Sequence, residues 1–296
     1  MGTTSKISGT LVAAISKVSG VAISGLANII GQTIPSSFTY TTNATSLEFD
    51  GSDDYIDCGN DSSIRPTAAL TYNAWVYKAD WNDQNNSPFN TIMGNFKASS
   101  GIYIRWKNKR IQCWTRANDD LSNYSNGSHE YVQTGWNKFK SGKPYYRSSG
   151  WHMISVTFDG RYVKLYIDGA LENEGGTSTF DYGSSGFHID YSTNDYNINI
   201  GKQVEVGNFF DGKIDEVAIW DAALSANAIA ELWDQDGGTV GPSNLREDKD
   251  NYTNSGDLQG WWRFEEGSGT SIADSSLNSN TGTLSGATFD TSNIPS

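Results

Sequence analysis

The 296-residue chain reads as an all-β protein, a two-sheet antiparallel sandwich, on three observations. Short phrases of alternating apolar and polar residues recur along it, Asp-Gly pairs close several of them, and only one stretch carries helix signals. In Tyr162–Ile167, Val163, Leu165 and Ile167 alternate with Tyr162, Lys164 and Tyr166, the period-two pattern of a strand with one buried face. Asp168-Gly169 follows, and such a pair supplies the φ > 0 residues of a tight hairpin turn. The phrase before it, Trp151 to Gly160, repeats the design, with His152, Ile154, Val156 and Phe158 on one face and Asp159-Gly160 as its stop. Two adjacent hairpins are therefore expected.

Further strands are expected at Ser46 to Phe49, Asp54 to Cys58, Leu70 to Tyr77, Thr91 to Phe96, Gly101 to Trp106, Arg110 to Trp114 and Phe210 to Trp220. Their spacing, with Gly, Asn and Asp between them, favours a sandwich over a parallel α/β sheet. One helix is expected after Ser225, a good N-cap, with Leu224 and Ile229 as a hydrophobic staple and Gly237-Gly238 as its end.

With 34 acidic against 21 basic residues the net charge is −13, which argues against a phosphate-binding surface and so against nucleic acid as a partner. An acidic surface of this kind is compatible with calcium. Cys58 and Cys113 are too few for a disulfide scaffold and lack zinc-site spacing, leaving either two buried thiols or a single bridge. His129, His152 and His188 are scattered, and His152 alternates with core residues, as a packed or hydrogen-bonded imidazole does.

Residues 1–36 differ from the rest, repeating an Ile/Val-Ser-Gly theme with apolar positions at Ile7, Leu11, Ile15, Val18, Val21, Ile23 and Leu26. Ser, Gly and Lys interrupt the apolar residues, so neither a signal-peptide core nor a membrane span of about 20 apolar residues is expected. The segment has too little apolar surface to fold alone, which predicts an arm for assembly with copies of itself or another protein, with packing along its own domain as the alternative. Residues 37–45 read as a linker and 46–296 as the β domain.

Leu47-Glu48-Phe49-Asp50-Gly51-Ser52-Asp53-Asp54-Tyr55, Trp151-His152-Met153 and Asp211-Gly212-Lys213-Ile214-Asp215-Glu216-Val217-Ala218-Ile219-Trp220, taken in order, resemble laminin-G-like, concanavalin-A-like jelly-roll domains. Gly260 to Gly267, Asp274-Ser275-Ser276 and Gly282-Thr283-Leu284 resemble the phrase that commonly precedes the first of these strings, but here they come last. This piece holds too few strands for a core of its own, so Trp262 and Phe264 are expected to insert into the one sandwich and remove an exposed edge.

The resemblance implies a structural Ca²⁺ between the first and last strands, and nominates Asp215, Gly51 and Glu266 with Asp50 nearby. Asp215 stands in phase with Val217 and Ile219, which places a carboxylate at the head of a core-facing row, where loop N–H groups are the alternative partner. Glycosidases on this fold carry carboxylates in alternation along one strand, about 5 Å apart in retaining enzymes. No such cluster occurs. Asp215 and Glu216 fall on opposite faces of a regular strand, and nucleophile-elbow, phosphate-loop and His-Glu metal motifs are absent from the sequence, so no enzymatic activity is expected.

Thr115 to Gly150 reads as the longest irregular stretch, rich in amide and aromatic residues: Asn118, Asn123, Tyr124, Asn126, Tyr131, Trp136, Asn137, Tyr145 and Tyr146. Tyr124, Tyr131, Trp136, Asn137, Tyr145 and Tyr146 are the candidate ligand contacts, for glycan or for protein, with packing on the chain's own sheet as the alternative. An arm followed by a jelly roll resembles modular virion proteins of tailed bacteriophages. The expectation is a non-enzymatic decoration or fibre component on the virion surface, bound to other virion proteins and to itself, and displaying a domain for cell-surface glycans. The alternative is a free lectin, extracellular or at a cell surface.

Overall fold

The computed structural model describes β1 (Lys17–Val18), β2 (Val21–Ala22) and residues 42–295 apart from 80, 82–89, 96–99, 108–109, 119–127, 134–149, 173–178, 183–184, 192–195, 205–206, 236–238 and 241. The chain divides into two compact units, Met1–Thr42 and Asn43–Ser296. In the first, β1 and β2 pair antiparallel, with Lys17 opposite Ala22 and Val18 opposite Val21. Ile7, Leu11, Ile15, Ile23 and Leu26 lie outside the described residues.

The second unit is the expected jelly-roll sandwich, whose described residues form two nine-stranded antiparallel sheets. The first runs, in order, β12 (Ala170–Leu171), β11 (Tyr162–Ile167), β10 (Gly150–Phe158), β5 (Leu70–Lys78), β16 (Asp211–Trp220), β3 (Ser46–Asp50) and β22 (Thr288–Asp290). Two more strands join it: β13 (Thr179–Asp181) on β11, and β19 (Leu258–Trp262) on β16. The second sheet runs β14 (His188–Ile189), β8 (Arg110–Asn118), β7 (Ile102–Lys107), β6 (Asn90–Gly94), β15 (Asn199–Ile200), β4 (Tyr55–Asp57), β21 (Gly282–Ser285) and β20 (Ser271–Ile272), with β9 (Ser128–Gln133) also on β8.

Period-two alternation delivers the core. Leu70, Tyr72, Ala74 and Val76 of β5 and Ile154, Val156 and Phe158 of β10 meet Ile102, Ile104 and Trp106 of β7 and Ile111 and Cys113 of β8 in one buried cluster. Asp168 (φ 52°) and Gly169 (φ 76°) both take the left-handed conformation that a two-residue hairpin turn needs. His152 is buried on β10 opposite Val76, its Nδ1 2.7 Å from Asp168 Oδ2 and its ring edge-on to Trp81. Both cysteines are buried free thiols, and the loss of solvation raises both thiol pKa values.

The outer face of the first sheet is covered by α1 (Ala226–Trp233), whose N-terminus Ser225 caps through its hydroxyl on the Ala228 N–H. Trp233 stacks on Trp75 of β5 at 5.0 Å between ring centroids. The helix ends at Trp233 with Asp234 as its cap, short of the Gly237-Gly238 pair, because Asp234–Gln235 (β17) leaves the helix to pair with Thr239–Val240 (β18). β19 lies beside β16 as a continuation of β3, and Trp262 and Phe264 are fully buried in the core cluster. Thr115 to Gly150 is not irregular throughout: β8 continues to Asn118, and β9 pairs with it, extending the second sheet outward.

Candidate functional site

Among the described residues, three places gather chemistry-bearing side chains. The first is the seam on β16 where β3 gives way to β19. The β16–β5 ladder shifts register between Asp215 and Ala218, and Glu216 takes φ 46°. This bulge breaks the alternation assumed from sequence: Ile214, Val217 and Ile219 enter the core, and Asp215 leaves that row. Its Oδ2 accepts from Asn43 Nδ2 (2.8 Å) and its Oδ1 from the Glu216 N–H (2.8 Å). Glu216 accepts from Trp261 Nε1 (2.5 Å) and from Arg263 Nε (3.2 Å).

The two carboxylates thus share a neighbourhood instead of standing on opposite faces. Both are buried, and burial is the largest influence on each. It raises Asp215 well above the ordinary carboxylate range, with the Glu216 charge adding to the effect. Burial raises Glu216 from 4.5 to about 7, against the opposing pull of Arg263 and Trp261. The cavity beside Glu216, lined by Asn73, Trp75, Met153 and Leu232 among others, holds only about 10 Å³. That is room for about one water, too little for a sugar ring.

The second place is an acidic turn. Carboxylate oxygens of Asp50, Asp53 and Asp54 lie within 4.8 Å of one another. Asp54 is buried and accepts from the Asp50 N–H; loss of solvation raises its pKa, and the neighbouring acids Asp50 and Asp53 push it the same way. Of the four residues nominated for calcium, Asp50 belongs here, and Gly51 (φ 77°) follows it in the turn. Asp215 lies elsewhere, since Asp50 pairs with Asp211 while Ile214 pairs with Leu47 further along the ladder. Glu266 accepts from the Ala273 N–H. Hard oxygen ligands in mutual repulsion fit a divalent cation of the calcium type.

The third place is the outer face of the second sheet. Because Ile102, Ile104 and Trp106 point inward, Tyr103 and Arg105 stand on the other side, as do Gln112 and Trp114 between the inward Ile111, Cys113 and Thr115. Tyr103 pairs with Trp114 across the ladder, and Arg105 with Gln112. The Arg105 guanidinium lies 5.2 Å from the Tyr103 ring and 5.2 Å from the Trp114 ring, and its Nε donates to Gln112 Oε1 at 3.0 Å. Burial raises the Tyr103 pKa to about 12 and lowers that of Arg105. Gly94 (φ 133°) lets β6 run close alongside β7: a Cβ there would sit 2.5 Å from Tyr103 Cα.

Of the ligand contacts expected from sequence, Tyr131 occupies the β9 position opposite Trp114. Tyr124, Trp136, Asn137, Tyr145 and Tyr146 lie outside the described residues. Tyr103, Arg105 and Trp114 were missed, although the alternation in Ile102–Lys107 already places Tyr103 and Arg105 on one face.

The model of the laminin-G-type concanavalin A-like lectin/glucanases superfamily matches residues 50–230. No curated protein matches the chain. Among solved structures, a candidate carbohydrate-binding protein from Bacteroides ovatus shares the fold at a TM-score of 0.54 and 18% identity, over 86% of this chain and 62% of that protein, so this chain spans less than two thirds of its length. A native heptameric SAP-like pentraxin from Limulus polyphemus matches 67% of this chain and 86% of its own at 12% identity and a TM-score of 0.45. Domains LG4-5 of the mouse laminin alpha1 chain match 63% of this chain and 45% of their own at 11% identity and a TM-score of 0.39.

The seam makes a stability prediction with a definite sign. A carboxyl whose pKa is raised on folding binds its proton more tightly in the folded state, so its contribution is full below the unfolded pKa and is lost as pH rises through the folded one. The Glu216 window runs from its ordinary 4.5 to about 7. The unfolding midpoint is expected to fall as pH rises from about 4.5 to about 7, and Asp215→Asn, which keeps the Glu216–Arg263 pair, should flatten that fall. Parallel pH profiles for the two proteins, measured by thermal denaturation, would contradict this account.

Proposed function

Because the chain belongs to the concanavalin A-like lectin/glucanases superfamily, we propose that its sandwich is a non-catalytic glycan-binding module whose ligand lies on the outer face of the second sheet. The observation that carries this reading is the outer row of β8, where the half-buried Trp114 and Gln112 lie against the buried Tyr103 and Arg105. Aromatic faces stack on the apolar side of a sugar ring, while planar polar groups bond its hydroxyls. Strands hold these groups in fixed register, so little order is lost on binding. The Bacteroides ovatus protein, a candidate for carbohydrate binding, lends support from the same fold. Non-catalysis is supported by the seam, where the buried Glu216 faces a cavity too small for substrate.

Two finer proposals attach to this module. Calcium would be held by Asp50, Asp53 and Asp54, and would relieve their mutual repulsion. Residues 1–36 would dock the module on a virion surface and join copies of the chain, a reading supported by their Ile/Val-Ser-Gly repeats and by the separate unit Met1–Thr42.

Each proposal has its own measurement. On a broad glycan panel the protein should give reproducible hits, and Trp114→Ala should weaken the best of them by about 10-fold or more, roughly 1.4 kcal/mol; a blank panel removes the reading. Added calcium should raise the unfolding temperature and Asp53→Asn should abolish the rise, whereas equal temperatures with calcium and with chelator dispose of the cation. Light scattering should find an oligomer for the full chain and a folded monomer for a chain beginning at Ser37; two monomers would count against self-assembly.

A further inference from the structure

Outside the three places described above, a cavity of about 250 Å³ opens between α1 and the chain that follows β18. Glu231 and Leu232 of α1 line one side, and Asn244, Glu247, Asp248 and Tyr252 line the other. Local hydrogen bonds hold these walls in place. Asn244 closes a turn, its Oδ1 accepting from the Arg246 N–H at 3.2 Å and its carbonyl from the Glu247 N–H at 3.3 Å. The main chains of Lys249 and Tyr252 exchange two hydrogen bonds of 2.8 Å. The Tyr252 hydroxyl donates to the Leu245 carbonyl at 2.7 Å and accepts from Trp220 Nε1 at 3.0 Å, and its ring packs edge-on to Trp220. A ligand entering here would lose little to the ordering of its site.

The lining changes character with depth. Leu232 and Tyr252 are buried, whereas Glu231 is half-buried and Glu247 and Asp248 are exposed, so apolar surface lies at the bottom and carboxylates towards the rim. Three lining carboxylates stand against one ammonium, that of Lys249. Glu231 comes from the helix, and Glu247 and Asp248 come from the segment across the cavity, so both walls are negative. Glu231 Oε2 accepts from Asn251 Nδ2 at 3.3 Å, and Asp248 Oδ1 accepts from the Ser255 N–H at 3.0 Å. A carboxylate has two oxygens, so each keeps acceptor capacity for a ligand. An anion would be repelled, and a calcium-type ion, which takes six or more oxygens at once, would make no use of the apolar bottom.

We propose that this cavity binds a small aliphatic diamine, its methylenes against Leu232 and Tyr252, one ammonium against Glu231 and the other against Glu247 and Asp248. The ligand class follows from the lining. Negative charge on two walls with apolar surface between them is the complement of a hydrocarbon chain carrying an ammonium at each end. The volume lies below the roughly 300–1,000 Å³ of sites for drug-sized ligands, which calls for a short chain. The net charge of −13 draws cations toward the molecule and so acts in the same direction as the local carboxylates. A monoamine answers only one wall, and this difference makes the cavity selective for two charges. The site is separate from the proposed glycan face, and either reading can stand without the other.

The test uses ligands of one length. 1,4-Diaminobutane, 1-aminobutane and 1,4-butanediol present two charges, one charge and none on the same carbon chain. Binding of each to the full chain is followed by calorimetry at one ionic strength, about 0.15 M. The diamine should bind with a Kd of about 1 mM or tighter and about 10-fold or more tightly than 1-aminobutane, and the diol should give no heat of binding. Glu231→Gln and Glu247→Gln, at a half-buried and an exposed position, should each bring the diamine to the level of the monoamine while the unfolding temperature is unchanged. Because both substitutions lie in this cavity, they also separate it from any binding at the acidic turn of Asp50, Asp53 and Asp54. Diamine affinity no better than that of 1-aminobutane overturns the proposal, as does diamine binding untouched by both substitutions.

Discussion

β16 has two edges to fill, and the manner of their filling shapes the rest of the sandwich. One edge is covered by β5 over most of its length, whereas the other is shared end to end by β3 from the beginning of the domain and β19 from near its end. Neither β3 nor β19 is long enough to cover that edge alone, and an unpaired stretch would leave ladder groups open to another chain. The late arrival of β19 also brings Trp262 and Phe264 into the core, and removing a buried side chain of that size costs roughly 3–5 kcal/mol. The C-terminal segment is therefore part of the one domain, and closure waits on residues more than 200 positions from β3 in sequence.

Joining two strand ends on one edge has a local consequence. Where β3 stops and β19 begins, the ladder cannot stay regular, and the bulge at Asp215–Glu216 takes up the mismatch. The side chains there do the work that missing ladder bonds would do. Asn43 donates to Asp215, the Ala44 N–H to Glu265 Oε1, and the Thr45 hydroxyl to the Phe264 carbonyl, which ties the start of the domain to the end of β19. Glu216 reaches across to Trp261 and Arg263 on the same segment. The buried carboxylates are thus explained by the seam, and their raised proton affinity follows chiefly from burial away from water, to which the Glu216 charge adds at Asp215 and which Arg263 opposes at Glu216.

What the sequence made legible was local. The Asp168-Gly169 turn, the Ser225 cap and the alternation of Tyr162–Ile167 depend on neighbours a few residues apart, and each stands where its pattern put it. The bulge was hidden because no glycine marks it: Glu216 holds φ 46° by virtue of its partners, and a period-two reading runs straight past it. β9 was hidden by polar composition, since Ser128–Gln133 pairs as a strand without an alternating apolar signature. The acidic turn was half visible, with Asp50 chosen and Asp53 and Asp54 passed over, because convergence of the three carboxylates depends on the turn's geometry and not on spacing. The Tyr103–Trp114 row needed the β7–β8 register to appear at all.

Register is also what separates the meaning of total charge from that of local charge. A net −13 describes how the molecule behaves at distances where individual groups blur, governing solubility and long-range repulsion. Within a screening length of about 8 Å, a ligand meets only the few side chains that one face presents. On β7 and β8 the alternation that buries Ile104 and Ile111 turns Arg105 and Gln112 outward together, and the pairing sets them beside Tyr103 and Trp114. The hydrophobic pattern that folds the sandwich is therefore the same pattern that assembles its polar, aromatic face. A face built this way is as rigid as the core behind it, because moving Arg105 out of register would require turning Ile104 and Trp106 out of the core.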